Sequence, residues 1–228
     1  MEIYQIRVSA QNRFMHWFPK MLLLLLAATA LAYFFWYRPK FNHRKLPASA
    51  SSPVAETRIA NVLRKKLERK AFSLRQYAKE NHYNSERCFL VDMSIASGKP
   101  RFFVYNLAKD SVEKSGLVTH GMGGPGGGIE YSNTEGSNCT SKGRYSIGQS
   151  YNGRFGLAFK LHGLDKTNSN AFKRFVVLHA HDCVPDAAVY PVPICESQGC
   201  PTVSPAFLQE LKVHIEQSEK PVLLTIFE

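Results

Sequence analysis

The sequence has 228 residues, enough for one or two domains with a substantial buried core. Its formal charge of +11 invites a nucleic-acid reading, but the charge is unevenly spread. Residues 1–99 carry 17 Lys/Arg against 6 Asp/Glu, whereas residues 100–228 carry 12 of each. The C-terminal half is therefore neutral overall, which fits juxtamembrane charge better than a basic recognition face, and no nucleic-acid partner is expected.

Taken in order, residues 1–20 form a short basic lead with Arg7, Arg13 and Lys20. Residues 21–37 then run without a charge and end in Tyr33-Phe34-Phe35-Trp36-Tyr37. That length and the terminal aromatic belt predict a transmembrane anchor. The competing expectation is a cleaved signal sequence, since Ala30-Leu31-Ala32 satisfies the small-residue rule at a cleavage site. Both send the chain across a membrane. Lys and Arg flank both ends, so charge alone gives no orientation.

Residues 38–53 read as a linker, with Pro47-Ala-Ser-Ala-Ser-Ser-Pro53 at its end. Residues 54–86 form a basic helical segment. Within it Ile59, Leu63, Leu67, Ala71, Leu74 and Ala78 recur at spacings of three and four, which predicts a helix over 54–79. Its Arg64, Lys65, Lys66, Arg69 and Lys70 suit either solvent or an anionic surface.

From residue 87 to 228 the pattern predicts a mainly β domain. Strands are expected at 88–95, 101–107, 116–120, 144–150, 156–161, 175–181 and 222–227. One late helix is expected over 204–217, with Pro205 in its first turn and Phe207, Leu208, Leu211 and Ile215 along one side.

The chemistry concentrates between Phe175 and Ser204. The apolar run Phe175-Val-Val-Leu178 leads into His179, with His181 and Cys183 at the following alternate positions. A Pro-rich loop returns the chain at Ser197-Gln198-Gly199-Cys200-Pro201. A histidine ending a strand and a cysteine after glycine supply the halves of a thiol–imidazole nucleophile. Gly199 and the Cys200 amide are candidates for an oxyanion hole, and Ser197 for support of the turn. His181 competes with His179 for the role of base on geometry alone.

This order of strand-His, loop and Ser-x-Gly-Cys-Pro resembles the catalytic signature of the L,D-transpeptidase family, in the YkuD-type subfamily with proline after the cysteine. Further segments carry the resemblance: Val118-Thr119-His120-Gly121, Tyr131-Ser132-Asn133, Gly136-Ser137, Thr140-Ser141-Lys142-Gly143 and Leu161-His162-Gly163-Leu164-Asp165. It spans roughly residues 87–228. The resemblance implies a YkuD-like β-sandwich or barrel and a cysteine acyltransferase acting on peptidoglycan stem peptides without a cofactor. Cys200 would then be the nucleophile and His179 the base, its ring held by a backbone carbonyl. The domain would lie in the cell envelope, anchored to the inner membrane and facing the periplasm, or secreted if the leader is cleaved. Cys195 and Glu196 stand where the pattern leads one to expect a small residue and a basic one, which bears on substrate preference.

Other residues have open readings. His120, Tyr131, Ser132, Asn133, Arg144 and His181 are candidates to line a substrate cleft, although strand-edge roles explain them equally well. The run Gly121-Met-Gly-Gly-Pro-Gly-Gly-Gly128 lacks the Gly-Lys-Ser/Thr ending of a phosphate loop and suits a flap or a flexible hairpin. A zinc site using His120, His179, His181 and Cys183 is the rival chemistry, against which no glutamate stands at metalloprotease spacing. The five cysteines, Cys88, Cys139, Cys183, Cys195 and Cys200, allow up to two disulfides and one free thiol in an exported domain. A bond between Cys195 and Cys200 is one expectation, and it would silence the thiol.

Overall fold

A computed structural model describes residues 19–33, 35, 53–123 and 128–228. The chain divides into two units, the second running Arg58–Glu228. In the first, the described part of the expected anchor is helical over 19–32, with its leucines exposed. No helix among the described residues is long and apolar enough to cross a membrane, so the expected anchor finds no support there. Residues 1–18, 34 and 36–52, which hold the rest of the expected lead, anchor and linker, lie outside the described residues. So do residues 124–127 of the expected flap.

The second unit is built on one eight-stranded sheet. In chain order its elements are helix α1 (Pro53–Glu80, of which this unit holds the part from Arg58 on), β1 (Arg87–Asp92), β2 (Phe102–Asn106), β3 (Ser111–Gly116), β4 (Gly143–Gly153), β5 (Gly156–Gly163), β6 (Val177–Ala180), β7 (Thr202–Val203), α2 (Pro205–Glu216) and β8 (Leu223–Phe227). The strand order is β3-β2-β1-β8-β4-β5-β6-β7. β8 runs parallel to β1 and antiparallel to β4, so the last strand of the chain joins the two halves.

Alternation along the central strands feeds two cores. Cys88 and Leu90 on β1, with Leu223 and Phe227 on β8, meet Leu67, Ala71, Leu74 and Ala78 of α1. Those α1 residues are the buried part of the periodic stripe in the sequence. Phe89, Val91, Leu224 and Ile226 face the other way, toward Phe207, Leu208 and Leu211 of α2. Each fully buried aliphatic side chain of this kind stabilises the fold by about 1.5–3 kcal/mol relative to exposure.

Strands from both ends of the sheet reach this second core: Phe102 and Val104 from β2, Leu178 from β6 and Val203 from β7. The sheet therefore curls around α2. The Phe207 ring meets Phe102 edge-on at 5.4 Å. Gly116 makes room for the same ring, since a Cβ there would lie 2.5 Å from it. Ser204 caps α2 by accepting a hydrogen bond from the Phe207 N–H, with Pro205 in the first turn.

Three strand expectations need correction. Only Gly116 of the expected 116–120 strand belongs to the sheet, at the end of the unexpected edge strand β3. β7 has just two residues and was not expected. Finally, β6 begins at Val177, because Phe175 turns with a φ of 56°.

Candidate active site

The β6–β7 pair is parallel and sets His179 beside Thr202. That register brings the histidine to the turn carrying Cys200. His179 Nδ1 lies 3.0 Å from the Ala180 carbonyl oxygen. A carbonyl only accepts, so Nδ1 carries the proton. Nε2 then holds the lone pair in the neutral ring, and the Thr202 hydroxyl donates to it at 3.0 Å. Burial pushes the His179 pKa below its ordinary value. The Ala180 carbonyl opposes that shift and His181 adds to it. Phe155, at the tip of the β4–β5 hairpin, stacks on the ring with centroids 5.4 Å apart.

The Cys200 thiol has its own partners. The Val177 N–H donates to Sγ at 3.4 Å, and the thiol approaches the Phe175 carbonyl at 3.8 Å. The left-handed turn at Phe175 directs that carbonyl toward the sulfur. Burial raises the thiol pKa, while the Val177 hydrogen bond and the charge of Arg174 pull it down. A depressed thiol pKa calls for an imidazolium beside the sulfur. Here both shifts run the other way and favour the uncharged thiol and the uncharged imidazole.

Hydroxyls clamp the turn. The Cys200 carbonyl accepts from Ser197 Oγ at 2.6 Å and from Thr119 Oγ1 at 3.1 Å. Gly199 has a φ of 103°, and a Cβ there would sit 2.7 Å from the Cys139 carbonyl oxygen. Glycine is therefore required on two counts. Its N–H donates to Ser197 Oγ at 3.1 Å, which leaves the Cys200 N–H as the oxyanion-hole candidate on this turn. Arg174 braces the far side. Its guanidinium donates to the carbonyls of Ser132 and Cys139 and to the hydroxyls of Ser137 and Ser141.

Residues 117–122 run extended along the opposite flank. Ser197 N–H donates to the His120 carbonyl and Met122 N–H to the Ser197 carbonyl. This explains why the 116–120 run reads as a strand without joining the sheet. The His120 side chain turns toward Arg101, whose fully buried guanidinium donates to Nδ1 at 3.0 Å. The proton of the neutral ring therefore sits on Nε2, which faces the Glu196 carboxylate at 3.5 Å. Burial and the Arg101 charge lower the His120 pKa, and Glu196 raises it.

A cleft of 370 Å³ is lined by Cys200, His179, His181, Ser197 and Thr202, with Phe155 and Arg154 among its other walls. His120 lines an adjoining cleft of 780 Å³ that shares Met122 and Glu196 with the first. The other candidates lie elsewhere. Asn133 ties down the 166–170 turn, and Arg144 pairs with Asp165. The Ser132 carbonyl serves Arg174, and the Tyr131 ring lies under the Lys142 ammonium at 4.2 Å. None of these four lines the thiol cleft.

Two cysteine expectations are settled by one bond. Cys195 pairs with Cys183, so the Cys195–Cys200 bond does not form and Cys200 is free. Sulfur in a disulfide is no thiolate ligand, which removes Cys183 from the proposed zinc set. No group of three or more metal-binding side chains occurs among the described residues.

The model of the L,D-transpeptidase catalytic domain family matches residues 59–223. The chain belongs to that family. Among solved structures, an L,D-transpeptidase from Enterococcus faecium is 13% identical, with a TM-score of 0.39, over 62% of this chain and 50% of that one. The helical cell shape determining protein Pgp2 of Campylobacter jejuni is 14% identical, with a TM-score of 0.42, over 62% and 47%. An L,D-transpeptidase from Mycobacterium smegmatis is 11% identical, with a TM-score of 0.37, over 63% and 59%. The chain thus spans about half the length of the first solved chains it matches. No curated protein matches it. Thr202, Thr119 and Phe155 line the thiol cleft and Arg174 braces its turn, and none of the four is among the candidates read from the sequence.

Proposed function

We propose that the chain is a peptidoglycan L,D-transpeptidase that works through a Cys200 thioester. One observation carries this reading: Cys200 and His179 line one cleft, and the Ala180 carbonyl that holds the ring at Nδ1 leaves Nε2 as its basic nitrogen, where the Thr202 hydroxyl donates in the resting state. The Cys200 thiol gives its proton to His179, and the thiolate attacks the amide carbonyl that follows the L-centre of a stem tetrapeptide. The oxyanion faces the Cys200 N–H. The C–N bond breaks, and the terminal D-residue leaves as an amine with the proton returned from His179. An amine of a second stem peptide then attacks the thioester and restores the thiol, leaving a cross-link. Water in place of that amine makes the same site an L,D-carboxypeptidase. The apolar run at 21–37 takes the enzyme to the cell envelope, anchored in the inner membrane with the catalytic domain in the periplasm.

Mass spectrometry tests the reading. The purified chain is incubated with tetrapeptide muropeptides beside a Cys200→Ala control. Loss of the terminal residue with dimer formation, absent in the control, is the expected result. Loss without dimers identifies the carboxypeptidase. No change in either sample, with the protein folded, leaves the cleft a binding site and sinks the catalytic reading.

A further inference from the structure

We propose that Thr202 is a positioning residue whose hydroxyl serves both protonation states of His179, donating to Nε2 in the neutral ring and accepting from it once the ring is charged. This rests on the reading of His179 as the base toward Cys200.

The Thr202 backbone is fixed on both sides. Its N–H donates to Thr119 Oγ1 at 3.1 Å, and its carbonyl accepts the Thr119 N–H. The side chain is buried, so its hydroxyl must satisfy itself within the protein. Two acceptors stand within reach, Nε2 at 3.0 Å and the Cys200 carbonyl at 3.5 Å. In the resting protein that carbonyl already takes the hydroxyls of Ser197 and Thr119, and the Thr202 proton goes to the nearer Nε2.

The single lone pair of Nε2 can take the thiol proton only after the Thr202 hydrogen has turned off it, and the nitrogen then becomes a donor. That hydrogen turns about the Cβ–Oγ1 bond toward the Cys200 carbonyl, which it then shares with the Ser197 and Thr119 hydroxyls, and an Oγ1 lone pair receives the new Nε2–H. One proton is transferred in the step, from Sγ to Nε2. A hydroxyl is the smallest group that makes both contacts, since it donates and accepts at one atom. A methyl in its place leaves the buried imidazolium with one partner fewer at the moment its charge appears.

The test compares Thr202→Val with Thr202→Ser, alongside ¹⁵N spectra of His179 in the unsubstituted chain. The spectra are expected to show the Nδ1–H tautomer with Nε2 accepting a hydrogen bond. Thr202→Val is expected to move the Nε2 resonance toward that of a free lone pair and to lower kcat about ten- to hundredfold with little change in KM. Thr202→Ser is expected to restore both. The proposal is overturned by the opposite tautomer in the unsubstituted chain, by a Val variant with unchanged resonance and rate, or by a Ser variant as impaired as the Val one. If the Val variant fails to fold, the spectra of the unsubstituted and Ser proteins decide. Full turnover in His179→Ala would instead defeat the underlying reading, whatever the Thr202 variants do.

Discussion

Two histidines flank the Cys200 turn, and their neighbours give them opposite tautomers. On the β6 side a carbonyl takes the His179 Nδ1 proton, leaving the lone pair on Nε2, where it accepts from a hydroxyl, that of Thr202, which can turn away. On the 117–122 side a guanidinium donates to His120 Nδ1, so the lone pair is consumed and the proton is sent to Nε2. A lone pair already bonded to a permanent cation is not free to take a proton. The same residue type, near the same turn, is thus fitted for base chemistry on one side and for donation toward Glu196 on the other.

The largest test of that contrast is His179→Ala. Removing a general base costs about 10²–10⁴-fold in rate, and the loss is expected in kcat for the muropeptide reaction. The matching His120→Ala change is expected to stay within about tenfold, because His120 touches the turn through its backbone carbonyl. Comparable losses from the two would erase the distinction.

The Cys183–Cys195 bond connects these flanks, one cysteine lying just beyond β6 and the other just before Ser197. A closed loop of about this length stabilises a fold by roughly 3 kcal/mol in the chain-entropy account. The Cys183→Ser/Cys195→Ser variant is therefore expected to unfold at lower denaturant concentration. Cys200 should also become easier to alkylate, since its turn loses a tether. An unchanged denaturation midpoint would show that the hydroxyl clamp alone holds the turn.

Phe155 sharpens the contrast on the His179 side. Its ring covers one face of the imidazole, and burial is the leading cause of the lowered His179 pKa. The base stays neutral below the ordinary histidine value of about 6.5, so the acid limb of the rate profile should lie on the acidic side of that value. In Phe155→Ala, water reaches the ring and the limb is expected to move up in pH. Loss of the stacked pair itself amounts to about 0.5–1.5 kcal/mol. A limb that does not move would assign the lowered pKa to His181 instead.

Much of the fold is legible in the sequence because burial on both faces leaves apolar runs. Phe89-Leu-Val91, Phe102-Phe-Val-Tyr105 and Leu223-Leu-Thr-Ile-Phe227 are such runs, and all lie in the middle of the sheet. The edges are not legible for the same reason. β3 reads Ser-Val-Glu-Lys-Ser-Gly, an open edge whose charged side chains face water, so no apolar signal marks it. The thiol and its imidazole are visible as a motif. Thr202 is not, since its role depends on the β6–β7 register, which no local pattern encodes. Arg174 is likewise silent: it stands one residue before a turn, and only the folded chain brings Ser132, Ser137, Cys139 and Ser141 around it.

The smallest effect belongs to His120, and it reads its environment directly. Burial and Arg101 lower its pKa, so between the unfolded value near 6.5 and the lower folded value the unfolded chain binds more protons. Stability then rises with pH through that window, or equivalently is lost as pH falls through it. His179 adds to the same slope, because its shift has the same sign. In His120→Gln the side-chain amide can still accept from Arg101 and donate toward Glu196, but it does not titrate. Denaturant midpoints of this variant, followed downward from pH 7, are expected to fall less steeply than those of the unsubstituted chain. Equal slopes would mean that His120 binds its proton as readily in the folded protein as in the unfolded one, and that Glu196 outweighs Arg101 at this ring.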